Sequence, residues 1–151
     1  MKSWTGIDDP SANERLIDFC RTGGDGSHAA LWRDPDGRVR IVHMGSGSGS
    51  IWGGVITDSP VDFLRFVAIG YNEACWPGDF SLTPQQVAER DDAEPPVPPQ
   101  ALRDYLIKRY GVTIPLTARS IIPVTPSMDD TTSRDPFLAW LQAAQNERDQ
   151  K

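Results

Sequence analysis

At 151 residues the chain is long enough for one domain with its own core, and a hydrophobic content of 38% excludes wholesale disorder. Two cysteines, Cys20 and Cys75, make neither a disulfide framework nor a metal set, which points to a reducing compartment and so to the cytoplasm. The opening residues lack the apolar core of a signal peptide, and no run approaches the ~20 apolar residues of a membrane span, so neither export nor anchoring is expected.

The first predicted element is a short helix opened by the capping-box pattern Ser11-Ala12-Asn13-Glu14, carried on through Leu16, Ile17, Phe19 and Cys20, and ended by Thr22-Gly23-Gly24. Residues 29–33 and 38–44 read as two antiparallel strands joined by Asp34-Pro35-Asp36-Gly37, whose Pro, Asp and Gly suit a tight hairpin. The run Gly45-Ser46-Gly47-Ser48-Gly49-Ser50 is too short for an interdomain linker and reads as a mobile turn into a third strand over 51–57. Three adjacent strands make a meander.

Ser59 and Pro60 then start a helix, with Ser59 as N-cap, Pro60 where its missing N–H costs nothing, and Asp62 near the positive end of the dipole. Apolar residues from Val61 to about Ala74 cover so much of its circumference that it reads as a core helix, central to the fold and covered on most sides. Gly70 within it predicts close approach by another backbone. Thr83-Pro84-Gln85-Gln86 repeats the capping logic for a helix to about Arg90, and Pro95, Pro96, Pro98 and Pro99 make an extended connector. A helix over 100–110 follows, with Leu102, Tyr105, Leu106 and Tyr110 on one side and Gly111 as its stop. Beyond a short strand at Ile121-Ile122, the last element is a helix from Asp135-Pro136 to about Arg148, with the final three residues frayed.

Charge is concentrated in the middle of the chain. Residues 51–100 carry Asp58, Asp62, Glu73, Asp79, Glu89, Asp91, Asp92 and Glu94 against Arg65 and Arg90, an excess of six that equals the net charge of −6. Such a surface disfavours nucleic acid and anionic membranes and speeds encounter with a basic protein, although a solubilising surface has the same composition.

Chemistry-bearing motifs are sparse. The Gly-Ser run lacks the lysine of a phosphate loop and precedes no dinucleotide-binding helix. Gly23-Gly24-Asp25-Gly26-Ser27-His28 sets Asp, Ser and His side by side, but turn chemistry explains the glycines and Asp25, and strand alternation places His28 and His43. Cys20 and Cys75 read as small buried hydrophobes. Neither zinc spacing nor a calcium loop is present, and the expectation is no metal, no cofactor and no catalytic residue. Of the five tryptophans, Trp32, Trp52 and Trp140 fit the core, Trp4 is unassigned, and Trp76, at a helix exit beside Asp79, is a candidate exposed anchor.

The strand 51–57, the Asp58-Ser59-Pro60 entry and the helix from Val61 to Tyr71 together resemble the central signature of the SUKH superfamily of bacterial immunity proteins. Upstream, residues 22–32 followed by Ile41-Val42-His43-Met44-Gly45-Ser46 are similar to the strand pair that precedes a Gly-Ser element in that family; downstream, Asp135-Pro136-Phe137-Leu138-Ala139-Trp140-Leu141 looks like its short closing helix. Family members commonly carry an acidic residue in the Gly-Ser element, and residues 45–50 have none.

The expectation is one α+β domain over 1–151, an antiparallel meander from 29–57 with one or two later strands, packed by helices. The resemblance implies an immunity protein that binds a cognate toxin domain and occludes its active site, the toxin being a nuclease or another nucleic-acid-directed enzyme whose basic cleft would accept acidic residues as phosphate mimics. Asp79, Asp91, Asp92 and Glu94 are the candidate acidic contacts and Trp76 the apolar anchor, with Asp62 and Glu73 in second rank. Two other readings compete: a regulatory scaffold for an endogenous protein partner, and a small hydrolase using Cys20 or His28.

Overall fold

In the computed structural model, which describes residues 2–7 and 9–149, four antiparallel strands run in sequence order. They are β1 (Leu16–Arg21), β2 (His28–Arg33), β3 (Val39–Met44) and β4 (Gly53–Thr57). The helices are α1 (Lys2–Thr5), α2 (Pro10–Asn13), α3 (Pro60–Ile69), α4 (Pro84–Arg90), α5 (Gln100–Tyr110) and α6 (Pro136–Asp149), with 3₁₀ turns at Pro77–Asp79 and Ala118–Ser120. The α+β fold and its meander are as expected. Of the three residues expected to fray, Gln150 and Lys151 lie outside the described residues.

The sheet is buried on both faces. Against one, Leu16, Ala30, Trp32, Val42 and Met44 meet Phe137, Leu138 and Leu141 of α6, with Ile7 and Ala12 from the N-terminal segment. Against the other, Ala29, Ile41 and Ile56 meet Phe63, Phe66 and Ile69 of α3, joined by Trp52, Phe80, Ala118 and Ile122. Each phenylalanine fully buried this way contributes about 2–3 kcal/mol. Asp135 ties the first layer together: its Oδ1 caps α6 by accepting from the amides of Phe137 (3.0 Å) and Leu138 (3.1 Å), while Oδ2 accepts from Val55 N–H in β4 (2.9 Å).

Three expectations are corrected. The helix expected from Ser11 through Cys20 is a four-residue turn capped by Asp9, which accepts from Ser11 N–H, and Leu16–Arg21 is the edge strand β1. A short run such as Leu-Ile-x-Phe-Cys fits a helical or an extended period, and pairing with β2 decides for the strand. The sheet's fourth strand therefore comes from before residue 29. Ile121-Ile122 is not a strand: it closes the 3₁₀ turn, Ile122 is buried, and Pro123 removes a ladder donor. Trp52 makes a single bridge to Ser127 instead.

The third correction is to α3, which ends at Ile69 and not near Ala74. Ser59 caps its start as expected, its Oγ accepting from Asp62 N–H (3.2 Å). Gly70 adopts φ 91°, the left-handed stop that other residues resist, so it ends the helix rather than sitting inside it. The predicted close approach is also present, since a Cβ here would lie 3.0 Å from Pro99 Cδ and 3.6 Å from Pro98 Cα. Arg103 of α5 then donates to the terminal carbonyls of Ala68 (2.7 Å) and Ile69 (2.9 Å). The expected Pro-rich connector thus presses α5 onto the end of α3. Phe63, Phe66, Ala68 and Ile69 of α3 are buried and Val67 is exposed on its flank, in keeping with a helix covered on most sides.

Candidate functional site

Leaving α3, the chain runs through Tyr71 to Trp76, a 3₁₀ turn (Pro77–Asp79) and the capped helix α4. Thr83 and Gln86 form the reciprocal capping box expected of them, which fixes the start of α4 against this segment. Between the two lies a cleft of about 140 Å³ whose walls include Tyr71, Glu73, Trp76, Asp79 and Asp91. Tyr71 is pinned, its hydroxyl donating to Leu82 O (2.7 Å) and accepting from Ala118 N–H (3.1 Å).

Trp76 is half-buried and forms a ridge. It lines the cleft on one side and, on the other, a depression of about 320 Å³ bounded by Gly49, Ile51, Pro77 and Pro126. Its indole N–H donates to Glu73 Oε2 (2.6 Å), and Glu73 Oε1 accepts from Gly24 N–H (2.7 Å). Glu73 is thus committed to holding the ridge in place.

The acidic candidates divide. Asp79 is 9% exposed and bonds Arg90 Nη1 at 2.7 Å. Asp91 takes the same guanidinium through Nε (2.7 Å) and Nη2 (2.9 Å), and this bonding holds its carboxyl below the usual carboxylate range. Asp92, at φ 52°, and Glu94 are exposed beside the cleft and make no side-chain hydrogen bond or ion pair among the described residues. Asp62 lies apart, paired with Arg65 on α3 at 2.9 Å. The structure therefore brings Trp76, Glu73, Asp79 and Asp91 round one cleft, sets Asp92 and Glu94 beside it, and leaves Asp62 elsewhere. Sequence reasoning missed the reach of Arg90, whose one guanidinium is shared by two of the four carboxylates and offsets one of their two charges; only its adjacency to Asp91 hinted at this.

The residues weighed for chemistry are held by packing. His43, buried, stacks on Trp52 at 3.9 Å between ring centroids; its Nδ1 donates to Trp52 O (2.9 Å) and its Nε2 and the Thr22 hydroxyl share a hydrogen bond (2.8 Å). Burial lowers its pKa to about 4 against the opposing bond to Trp52. His28 sits on another strand, bonded through Nδ1 to Asp18 at 3.0 Å. Burial, followed by the Asp25 and Glu73 carboxylates, pushes the Cys75 thiol up to about 12, and burial also raises Cys20. Both cysteines are unpaired.

The Gly-Ser turn is anchored instead of hanging free. Asp25 accepts from Ser27 N–H, Ser27 Oγ, Ser46 Oγ and Ser50 N–H, and Gly49 packs so closely that a Cβ would lie 2.7 Å from Asp25 Oδ2. Asp25 reaches this turn from the loop between β1 and β2. Among the described residues, no group of three His, Cys, Asp or Glu side chains is disposed to hold a metal ion, and no helix is long and apolar enough to cross a membrane.

The chain matches no family model, no curated protein and no solved structure.

Proposed function

We propose that the chain is a binding protein of the immunity type, which neutralises a toxin domain by covering its active site. The observation that carries this reading is the Trp76 ridge, held by Glu73, lining a cleft whose wall also includes Asp91 and Ala93, with the exposed Asp92 and Glu94 flanking Ala93 in the chain and bonded to no cation among the described residues; an aromatic anchor and open carboxylates on one segment are the composition expected of an interface aimed at a basic surface. The resemblance of residues 51–71 to the SUKH signature supports it, and the acidic excess suits a nuclease or another toxin that grips phosphates. On this reading the protein works by occlusion without cofactor or chemistry, in the cytoplasm, where two unpaired cysteines are at home.

The test is co-expression with each toxin-like domain encoded beside the gene, scored by growth rescue and by co-purification of a one-to-one complex. Rescue with a complex is the expected result, weakened at least about tenfold by Trp76→Ala or by Asp92→Lys with Glu94→Lys. If no neighbouring domain is toxic, or none binds, the immunity reading falls and a scaffold for an endogenous protein partner takes its place.

A further inference from the structure

The two edges of the sheet are treated differently. The outer side of β4 is closed: Gly53 N–H donates to Pro126 O (3.2 Å), Met128 N–H to Ile51 O (2.8 Å), and Val55 N–H to Asp135. On β1, beyond its pairing with β2, no backbone hydrogen bond reaches residues 17–21 from the described residues; the next carbonyl, Thr22 O, is taken by Ala74 N–H at 2.7 Å. This bare stretch carries Ile17, 61% exposed, and Phe19, 44% exposed. Phe19 packs edge-on against Phe63 and helps wall an apolar groove of about 420 Å³ between β1 and α3, with Val67, 41% exposed, on its α3 side. An unpaired edge with apolar side chains is a template for another strand.

A second copy of the same chain is the occupant that the charges select. The register shift between Asp18 and Cys20 makes Phe19 the extra residue of a bulge. In a regular strand, residues three apart face opposite ways. Here Asp18 lies opposite Ala30 and Arg21 opposite His28, so the bulge puts an acid and a base three residues apart on the same, α6-facing side. A two-fold axis normal to the sheet, between Phe19 and Cys20, sets Asp18 across from Arg21 of the second copy twice over. On the opposite face it sets Phe19 across from Cys20. We propose that the protein forms an antiparallel β1–β1 dimer, one continuous sheet of eight strands, with Asp18 and Arg21 fixing its register. Such an interface is isologous and closes on itself, leaving no template for further growth.

The test is sedimentation of the full chain from about 1 to about 200 μM, the range in which a small interface dissociates. Expected is a monomer–dimer equilibrium that Arg21→Asp weakens at least about tenfold, by setting carboxylates opposite one another, and that the swap Asp18→Arg with Arg21→Asp restores to within about threefold. Hydrogen exchange gives an independent reading without mutation, since amides in residues 17–21 should gain protection as concentration rises. A monomer throughout the range would mean that the bulge and charges guard the edge, and a dimer indifferent to Arg21→Asp would mean another interface; either overturns the proposal. Toxin rescue does not depend on the outcome.

Discussion

Asp25 and Ser50 stand 25 residues apart in the chain, and the Ser50 amide donates to Asp25 Oδ2 at 2.8 Å. The same carboxylate takes the hydroxyls of Ser27 and Ser46, each at 2.8 Å, and the Ser27 amide at 2.9 Å, so one side chain gathers the Gly-Ser turn against the loop before β2. Ser50 Oγ in turn donates to Cys75 O at 2.7 Å, linking the turn to the segment that carries Trp76.

Removing this carboxylate should loosen the turn. Asp25→Ala is expected to cost about 1.5–3 kcal/mol, the range for hydrogen bonds to a charged group, measured by urea denaturation, with faster amide exchange over residues 45–50. Burial alone would raise the Asp25 pKa, but the Ser50 and Ser27 amides and the Ser46 and Ser27 hydroxyls outweigh it and hold the carboxyl far below the usual carboxylate range. A depressed carboxyl stabilises the fold fully above its unfolded pKa of about 4 and loses that stabilisation as pH falls toward the folded value. The acid limb of the wild type's stability profile should therefore flatten in Asp25→Ala.

His43 produces a separate pH effect at higher pH. Its folded pKa of about 4 lies below the ordinary value of 6.5, so between these limits the unfolded chain binds a proton that the folded chain refuses. Stability contributed by the neutral ring is present above about pH 6.5 and falls by about 3 kcal/mol on descent to pH 4. The check is an NMR titration, in which the His43 ring protons should stay unshifted until the pH nears 4. A midpoint above 6 would contradict the buried, neutral ring.

The raised thiol of Cys75 predicts chemical silence. At pH 8 the native protein should leave Cys75 unmodified by a disulfide reagent over hours, with Cys20 slow, and both should react promptly in guanidinium. Rapid native labelling of Cys75 would contradict its burial.

Gly70→Ala should cost about 1–3 kcal/mol, because the new Cβ meets both an unfavourable φ of 91° and the ring of Pro99. Thermal unfolding measures this directly. A Tm unchanged within error would mean that the α3–connector junction yields more easily than its geometry implies.

Much of the fold was legible because its signals are local. The Asp34–Gly37 hairpin, the Ser59-Pro60 and Thr83-Pro84 helix starts, the Gly111 stop and the Asp135-Pro136 start each rest on residues within four positions of one another, and each forms where expected. Leu16 to Arg21 was misread because its period fits a helix as well as a strand, and only the backbone of β2 distinguishes them. The length of α3 was misread because Gly70 serves as a stop and a contact at once.

The candidate site divides along the same line. Charge counting located the acidic segment, and the helix exit singled out Trp76, since composition and local turn chemistry need no partner across space. Only the tertiary structure could decide which carboxylates remain open. Arg90 reaches Asp79 eleven residues away as well as its neighbour Asp91, Glu73 locks the indole of Trp76, and Asp25 holds the Gly-Ser turn from another loop. Electrostatic pairing depends on distance through space, which residue order does not encode beyond a helical turn. The chain by itself therefore determined an acidic α+β protein with most of its strand and helix starts, β1 excepted, and folding decided which of its charges face outward.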